Sequence, residues 1–313
     1  MSQQVWADFM AFLFSQLNLM HHQDCVIHPW LDLDFAHITI APPFMQLTDD
    51  ILRERDWLHS IIEMQPHRTK FFYGLQHPPV DASFLNMRRL ADAGVKFCTI
   101  AYQDENMYGG GFAANSRVGL SENGYGLLRS LADCGMVLDL SHSNNTTARD
   151  AIDYIACQHL PLKIVATHVG LSCQYEHKRN FPLEILKRII DMGGLVGIPL
   201  VTFLLHPDDD SCMPFLSHAR KAVDCLGEGA VCIGSDSIYQ CLSRSEALML
   251  HEAMLAGIDP NGDFNARPLN NPQELNGPEK LHVLADIMAS NGFQDRVIRA
   301  VLGENLANFF ATL

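Results

Sequence analysis

The sequence contains few charged residues and no long hydrophobic run. Charged residues make up only 19% of the 313 positions, whereas hydrophobic residues make up 48%. A chain of this composition has enough apolar surface to bury a large core, which excludes an intrinsically disordered protein. The longest apolar stretch, residues 193–205, contains Pro199 and is shorter than the ~18 residues of a membrane-spanning helix. We therefore predict a globular chain without a transmembrane segment.

Basic residues are scarce, and none occurs before Arg53. The chain has 22 basic and 36 acidic residues, which gives a formal net charge of −14. An acidic surface repels phosphate groups, so neither nucleic acid nor an anionic membrane is an expected partner. The start of the chain also lacks the positive region of a signal peptide, and Asp8 interrupts its apolar run. We therefore expect a cytoplasmic protein.

Several motifs of other protein classes are absent. The nine cysteines include no CxxC pair, so we expect buried free thiols rather than disulfides. The glycine run at residues 109–111 lacks the GxGxxG spacing of a dinucleotide-binding loop. No GxSxG nucleophile elbow occurs either, which argues against a serine hydrolase of that type.

A helix end, a glycine and a short apolar run recur along the chain. Gly94 separates the helical pattern of residues 90–93 from the run 95–102, and Gly135 similarly precedes the run 136–142. Glycine readily adopts the left-handed conformation that ends a helix, and short apolar runs are typical of strands buried on both faces. About eight strands are predicted, at residues 26–28, 37–40, 70–75, 95–102, 136–142, 163–167, 195–199 and 231–236.

This alternation of strands and helices is compatible with a closed (β/α)8 barrel and with an open doubly wound sheet. The barrel is favoured because polar side chains stand at the ends of several strands, and a barrel brings these ends to one face, where active sites lie. The side chains concerned are Gln76, Tyr102, His142, His168 and Asp236. We therefore predict an α/β fold, a TIM-type (β/α)8 barrel that forms a single domain over residues 1–313.

Two further regions are predicted to pack outside the barrel. The spacing of apolar residues near the start predicts an N-terminal helix over residues 5–19. The residues with this spacing are Trp6, Phe9, Met10, Leu13, Leu17 and Met20. Two helices are predicted within residues 278–310, after a turn-rich loop between Asp259 and Glu279.

Two histidines, an aspartate and an arginine are the main candidates for chemistry. His142 and His168 end successive predicted strands. Imidazoles at neighbouring strand ends are natural zinc ligands, although each can also be an ordinary hydrogen-bonded core residue. Asp236 can ligate a metal or act as a base, or it can cap a helix. Arg179 suits a substrate carboxylate because its guanidinium is planar, unless it lies on the surface.

Four blocks of the sequence together resemble the membrane (renal) dipeptidase family of zinc-dependent hydrolases. The blocks are residues 119–142, 164–182, 233–236 and 302–306. The resemblance implies a (β/α)8 barrel that hydrolyses dipeptides with a free carboxylate through metal-activated water. It also implies that His142 and His168 are metal ligands, that Arg179 binds the substrate carboxylate, and that Asp236 transfers the proton.

The chain departs from the family pattern at the implied metal site. The family's first strand has a His-x-Asp metal pair, and the matching stretch here has Trp30 at the His position and keeps Asp32. His28 or Asp34 is an alternative equivalent. The glutamate that bridges two metals in the family falls at Gln76, whose neutral amide cannot offset two dications as a carboxylate does. Asp32 and Gln76 are therefore weak ligand candidates, and we expect one zinc ion or none.

Two more residues are weaker candidates for substrate binding. A family histidine that touches the substrate falls at Tyr102, and Asn180 directly follows Arg179. The predicted function is a metal-dependent amidohydrolase that cleaves a dipeptide or a similar small amide with a free carboxylate. The alternative is a hydrolysis-deficient barrel relative that binds a small carboxylate ligand or has an accessory role. The expected partner is a small molecule, and a homodimer is compatible with the sequence.

Overall fold

The computed structural model of the chain describes residues 4–13, 25–40, 46–267 and 271–313. Within these ranges, eight strands follow one another around a closed barrel, and a short ninth strand follows the last of them. All pairings between them are parallel, and the predicted (β/α)8 barrel is confirmed. The strands are β1 (Ala7–Phe12), β2 (Phe35–Thr39), β3 (Lys70–Leu75), β4 (Val95–Thr99), β5 (Val137–Asp139), β6 (Lys163–Val165), β7 (Val196–Ile198), β8 (Val231–Ile233) and β9 (Ser237–Ile238).

The barrel closes through main-chain contacts at two places. Strands β1 to β6 form one continuous sheet, and β7 pairs with β8. A parallel bridge between Ala166 and Val196 joins β6 to β7. On the other side, the Asp236 N–H donates to the Met10 carbonyl oxygen at 2.8 Å, and β9 pairs with β1. The carboxyl ends of the strands therefore surround one opening.

Helices connect the strands and pack their buried faces on the barrel. Those of the described ranges are α1 (Thr48–Glu63), α2 (Phe84–Asp92), α3 (Glu122–Asp133), α4 (Asn145–Cys157), α5 (Leu183–Asp191), α6 (Thr202–Leu205), α7 (Met213–Leu226), α8 (Arg244–Ile258), α9 (Lys280–Ser290), α10 (Asp295–Arg299) and α11 (Asn305–Phe310). None of them is long and apolar enough to cross a membrane.

Several helices begin or end at residue types that favour helix termini. The side-chain oxygens of Ser83, Ser121 and Asn144 accept hydrogen bonds from main-chain N–H groups in the first turns of α2, α3 and α4. Such caps satisfy donors that have no partner inside the helix. Gly94 and Gly135, with φ angles of 90° and 64°, follow α2 and α3 and lead the chain into β4 and β5. The recurring helix–glycine–strand pattern is thus the structural repeat of the barrel.

The predicted N-terminal helix is wrong, because Ala7–Phe12 form β1, which lies between β2 and β9. A strand buried on both faces is a continuous apolar run, so over a short window its residues also match helical spacing. Leu17 and Met20, which extended that spacing, lie outside the described residues. The predicted strand at residues 26–28 is also wrong, since this segment has no regular structure and leads into a turn.

Aromatic side chains fill the amino-terminal end of the barrel. Phe9 on β1 packs edge-to-face against Phe97 and Phe310, with ring centroids 5.6 and 6.0 Å apart. Phe72 stacks on Phe310 at 4.0 Å. Helix α11 belongs to the predicted C-terminal helical region, but it covers the base of the barrel rather than its side. The base is therefore closed by apolar packing, and the polar strand ends lie at the other end.

Candidate active site

A cavity of about 680 Å³ opens at the carboxyl ends of the strands. Its volume is typical of a site for a small-molecule ligand. Aromatic side chains, among them Phe12, Phe112 and Phe264, form part of its walls. The predicted site residues that line the cavity are Gln76, Tyr102, His142, Arg179 and Asp236. The structure thus brings together four residues that the sequence places at the ends of separate strands, and it adds Arg179 from the loop after β6.

His142 lines this cavity, and His168 lies directly behind it, outside the lining residues. Their Nε2 atoms are 2.8 Å apart, and both side chains are buried. Burial lowers the pKa of each imidazole well below its usual range, and the positive charge of Arg179 lowers it further. Both rings are therefore neutral, which is the form that binds a transition metal. His142 also has a φ of 71°, an uncommon left-handed conformation that is often associated with functional sites.

A hydrogen-bonded chain behind His168 sets the tautomer of its ring. The Thr167 hydroxyl donates to Oδ2 of Asp139 at 2.6 Å and lies 2.7 Å from Nδ1 of His168. Because a hydroxyl has one proton, it accepts from Nδ1–H, and Nε2 of His168 keeps a free lone pair. Oδ1 of Asp139 accepts from the N–H groups of Ser141 and Thr167. Asp139 thus orients His168 in the way that carboxylates orient metal-binding histidines.

Arg179 reaches the cavity from the loop that follows β6. Its side chain is 5% exposed, and Nη2 donates to the His168 carbonyl oxygen at 3.4 Å. Its guanidinium carbon lies 5.6 Å from the ring centroid of Phe112. Among the residues that the structure describes, no carboxylate lies within 4.0 Å of this guanidinium. A buried guanidinium without an ion pair is suited to a ligand carboxylate.

Asp236 lines the cavity between β8 and β9. Burial raises the pKa of its carboxyl group to about 6, while the positive charge of Arg179 opposes and the charge of Asp8 adds to this shift. Its φ of 54° is again left-handed. A carboxyl group that titrates near pH 6 can both accept and deliver a proton close to neutral pH.

Residues 68–243 match the protein family described as membrane dipeptidase, peptidase family M19. The chain belongs to the membrane dipeptidase family. Dipeptidase verJ of Clonostachys rogersoniana is 27% identical over 196 residues, which cover 59% of this chain and 48% of that protein. Dipeptidase tcpJ of Claviceps purpurea is 24% identical over 147 residues, which cover 46% of this chain and 33% of that protein. The chain spans less than half the length of these curated relatives.

Solved structures share the fold of this membrane dipeptidase family member. An amidohydrolase from Pseudomonas aeruginosa aligns with a TM-score of 0.74 at 20% identity, covering 97% of this chain and 95% of that one. Dipeptidase AC, a metallopeptidase of family M19, aligns with a TM-score of 0.73 at 18% identity, covering 97% of both. A metallopeptidase from Rhodobacter sphaeroides, liganded with a phosphinate mimic of the dipeptide L-Ala-D-Ala, has a TM-score of 0.70, 16% identity and 99% coverage of both.

The first strand of this family member has no metal-binding side chain at its carboxyl end. Met10 and Phe12 are two residues apart on β1 and therefore share a face, and Phe12 lines the cavity. Asp8 is engaged in the barrel wall, where its carboxylate accepts from the main-chain N–H groups of Met10 and Ser235. It also accepts from the Tyr239 hydroxyl at 2.6 Å. The His-x-Asp pair that the resemblance implies therefore has no counterpart on β1.

The prediction that Asp32 is a metal ligand is wrong. Asp32 lies in the loop before β2, at the amino-terminal face of the barrel, and pairs with Arg68 and with Nε2 of His282, the latter at 2.8 Å. Trp30, the residue matched to the family histidine, is 67% exposed. The error follows from the predicted N-terminal helix. Because the first strand was not recognised there, the family's His-x-Asp pair was matched to residues 28–32 instead.

The side chain of Asn180, a weaker substrate-binding candidate, is hydrogen-bonded to main-chain groups. Its Oδ1 accepts from the Gly170 N–H at 3.0 Å, and its Nδ2 donates to the carbonyl oxygens of Tyr175 and Leu204 at 2.9 and 2.7 Å. The buried side chain thus holds the loop after β6 in place through main-chain groups. In this way Asn180 positions its neighbour Arg179.

Tyr102 and Gln76 stay candidates for the roles predicted for them. The Tyr102 ring stacks on His142, with centroids 4.1 Å apart and an interplanar angle of 21°. Burial raises the pKa of the Tyr102 hydroxyl above its usual range, so it stays protonated. Gln76 follows β3 and lines the same cavity. Both residues are therefore placed to contact a ligand or an ion beside His142.

Asp139 and Phe12 are site residues that the sequence analysis missed. Asp139 is the single charged residue in the apolar run 136–142, and a carboxylate in a strand buried on both faces requires hydrogen-bond partners. That rule could have identified it. Phe12 has no such signal, because nothing in an apolar run marks the residue that will line a cavity.

Proposed function

We propose that this chain hydrolyses the amide bond of a dipeptide or a similar small molecule with a free carboxylate. The observation that supports this most is the approach of His142 Nε2 to His168 Nε2, 2.8 Å apart, at a cavity lined by Arg179 and Asp236. The neutral imidazoles can hold a cation, the guanidinium can bind a carboxylate, and the carboxyl group can move a proton. Membership of the membrane dipeptidase family supports the same class of reaction.

His142 and His168 suit one divalent metal ion, and imidazole ligands favour zinc among the common ones. The tautomer of His168 leaves its Nε2 lone pair directed at Nε2 of His142, whose N–H donates to it; with the His142 proton on Nδ1 instead, both Nε2 atoms could face one ion. Two nitrogens fill half of a tetrahedral shell, and Gln76 can add an amide oxygen. In the described part of the chain, no group of three or more His, Cys, Asp and Glu side chains could hold a metal ion. We therefore propose one weakly held ion or none, rather than a bridged pair.

The remaining steps of the proposed hydrolysis, substrate binding and proton transfer, are assigned to different side chains. A bound ion acts as a Lewis acid that activates water near neutral pH. Arg179 binds the substrate carboxylate through paired, charge-assisted hydrogen bonds and so fixes the substrate. Asp236 accepts a proton from the attacking water and delivers it to the leaving amine nitrogen. Tyr102, stacked on His142, shields that ring from bulk water.

Hydrolysis assays with and without added zinc test this proposal. The dialysed chain is incubated with increasing zinc and with a panel of dipeptides, and release of free amino acids is measured. We expect zinc-dependent turnover that is lost in His142→Ala and in Asp236→Asn. His206→Ala, at an exposed histidine, is the matched control and should keep full activity. The absence of turnover for every dipeptide at saturating zinc would contradict the proposal.

A hydrolysis-deficient relative that binds a small carboxylate is the second candidate. Met10 and Phe12 at the end of β1 favour it, and so does the neutral Gln76. Bridging anions hold two dications together in two-metal sites, and these residues supply no negative charge. Calorimetric binding of a dipeptide without any turnover would support this candidate over the first.

A further inference from the structure

The described lysine and arginine side chains include two that are buried. Arg179 is 5% exposed and Lys280 is 2% exposed, and both line the same cavity. Arg179 has a role in the proposed function, whereas Lys280, the first residue of α9, has none. Because long basic side chains are almost never fully buried without a partner, the position of Lys280 requires a physical reason.

Lys280 lies against the strand end that follows Asp236. Its Nζ donates to Ser237 Oγ at 2.7 Å and to the Ile238 carbonyl oxygen at 2.6 Å. It also lies 4.5 Å from the ring centroid of Tyr239. All three partners are neutral, and no carboxylate in the described ranges lies within 4.0 Å of Nζ. The two hydrogen bonds use two of its protons, so the ammonium form has a third proton that makes no hydrogen bond to an oxygen of the described residues.

Asp8 does not neutralise Lys280 through direct contact. Burial lowers the pKa of Lys280 to about 7, although the charge of Asp8 raises it. The Asp8 oxygens already accept hydrogen bonds from main-chain N–H groups and from the Tyr239 hydroxyl. An anionic ligand group beside Nζ would favour the ammonium form of Lys280, because it supplies the ion pair that the buried charge lacks.

The charges around the cavity suit a ligand with two anionic groups. Among the described residues that line it, Arg179 and Lys280 are the buried cations. Asp210 also lines the cavity, but its carboxylate is paired with Arg267 at 2.7 Å. This leaves Asp236 as the lining carboxyl group without an ion pair within those ranges. One substrate carboxylate can pair with Arg179, and Lys280 is a second cation of the same wall without an ion-pair partner in those ranges.

The two cations reach the cavity from different strands. Arg179 follows β6 and donates to the carbonyl oxygen of His168, whereas Lys280 contacts β9, which pairs with β1. Lys280 thus contacts the strand that directly follows Asp236, and a part of the substrate that extended from Asp236 along β9 would reach it.

We propose that Lys280 binds a second carboxylate of the substrate, so that the preferred substrates are dipeptides with an aspartate or glutamate residue. Lys280 is then a specificity-determining residue. This inference rests on the proposed hydrolase function of the same cavity.

The test compares glutamate dipeptides with their glutamine counterparts, which have nearly the same shape but lack the charge. kcat/KM is measured with added zinc for Gly-Glu against Gly-Gln and for Glu-Gly against Gln-Gly. We expect at least one glutamate peptide to be favoured by about 10- to 150-fold, the range for a hydrogen bond to a charged group. Lys280→Met should remove this preference and retain turnover of the glutamine peptide. Arg244→Met, at an exposed cation of the same cavity, should keep it.

Binding measurements separate this inference from the hydrolase proposal. If the wild-type chain cleaves no dipeptide, calorimetric affinities of the same four peptides replace kcat/KM. A glutamate preference that Lys280→Met abolishes supports the second carboxylate site even then. Lys280→Gln, which keeps a donor for Ser237 and Ile238, serves as a second neutral variant if Lys280→Met does not fold.

Three results would overturn the inference. Equal kcat/KM values, or equal affinities, for both peptide pairs in the wild-type chain would do so without any variant. A glutamate preference that persists in the neutral Lys280 variants would mean that another group of the protein binds the glutamate side-chain carboxylate. A preference that Arg244→Met removes to the same extent would indicate general electrostatic attraction.

Discussion

Asp139 and His168 are joined through a single hydroxyl group, that of Thr167, with contacts of 2.6 and 2.7 Å. This link makes Nε2 of His168 the lone-pair donor. Asp139→Asn should therefore weaken zinc binding by about 10- to 100-fold, as expected when a partner of a ligating histidine is lost. Competition with a chromophoric chelator measures the Kd. Thr167→Ser, which retains the hydroxyl, should bind zinc almost normally, and an unchanged Kd in Asp139→Asn would disprove the link.

Arg179→Ala should raise KM for carboxylate-bearing dipeptides by about 10- to 150-fold, because a charge-assisted contact is removed. Arg179→Lys should recover only part of the loss, since an ammonium cannot form the paired hydrogen bonds of a guanidinium. Tm should change little, because Arg179 has no ion pair within the described ranges. Steady-state kinetics with a dipeptide and its C-terminal amide check the prediction. A KM increase of equal size for the amide would show that Arg179 does not bind the carboxylate.

The activity should depend on pH through Asp236, whose pKa burial raises to about 6. The deprotonated carboxylate is the form that accepts a proton from water, so kcat/KM should fall as the pH drops through 6 and level off above it. His142 and His168 do not contribute to this limb, because their pKa values lie well below the usual range. Asp236→Asn should lower kcat/KM by roughly 10²- to 10⁴-fold. A profile without a limb near pH 6 would contradict this assignment.

The same carboxyl group should affect stability with the opposite trend. Its pKa in the folded chain, about 6, is above the value of 3.8 for a free side chain, so the folded state binds this proton more tightly. Stability from this group is therefore present at low pH and is lost as the pH rises from about 4 to about 6. Asp236→Asn should raise Tm more at pH 7 than at pH 4. Asp208→Asn, at an exposed aspartate, is the control and should show no such difference.

The zinc content after exhaustive dialysis should be at most one equivalent per chain. Elemental analysis measures it directly, and two equivalents would contradict the expectation. Since Met10 and Phe12 share one face of β1, Met10→His with Phe12→Asp and Gln76→Glu should increase the content towards two. Trp30→His, which restores the His-x-Asp spacing with Asp32, should have no effect on the zinc content, since both residues lie at the other face of the barrel.

Local sequence signals were sufficient to predict most of the strands and helices of the barrel. Gly94 and Gly135 end helices by a property of glycine itself, and the apolar runs that follow them are strands in the structure. His142 and His168 could be recognised because each follows such a run directly. Asp236 and Arg179 could be recognised as site residues only from the order of the family-like blocks around them, because an isolated aspartate or arginine can have many other roles.

The first strand and Lys280 could not be recognised in this way. The run around Phe9 is apolar at nearly every position, so its period does not distinguish a strand from a buried helix. Lys280 contacts Ser237 across 43 positions of sequence, and no local pattern connects the two. Asp32 was misassigned for the related reason that a His-x-Asp pair was sought in the wrong segment.

β1 cannot complete its pairing until the chain has been synthesised as far as β9. Its Asp8 binds the main chain of Ser235, which lies 227 positions later, and contacts of such long range form slowly. While the ribosome is still producing the later strands, Phe9 and Met10 lack part of the surroundings that bury them in the finished barrel. A chaperone that shields apolar segments of a nascent chain would therefore be expected to hold this strand until β8 emerges.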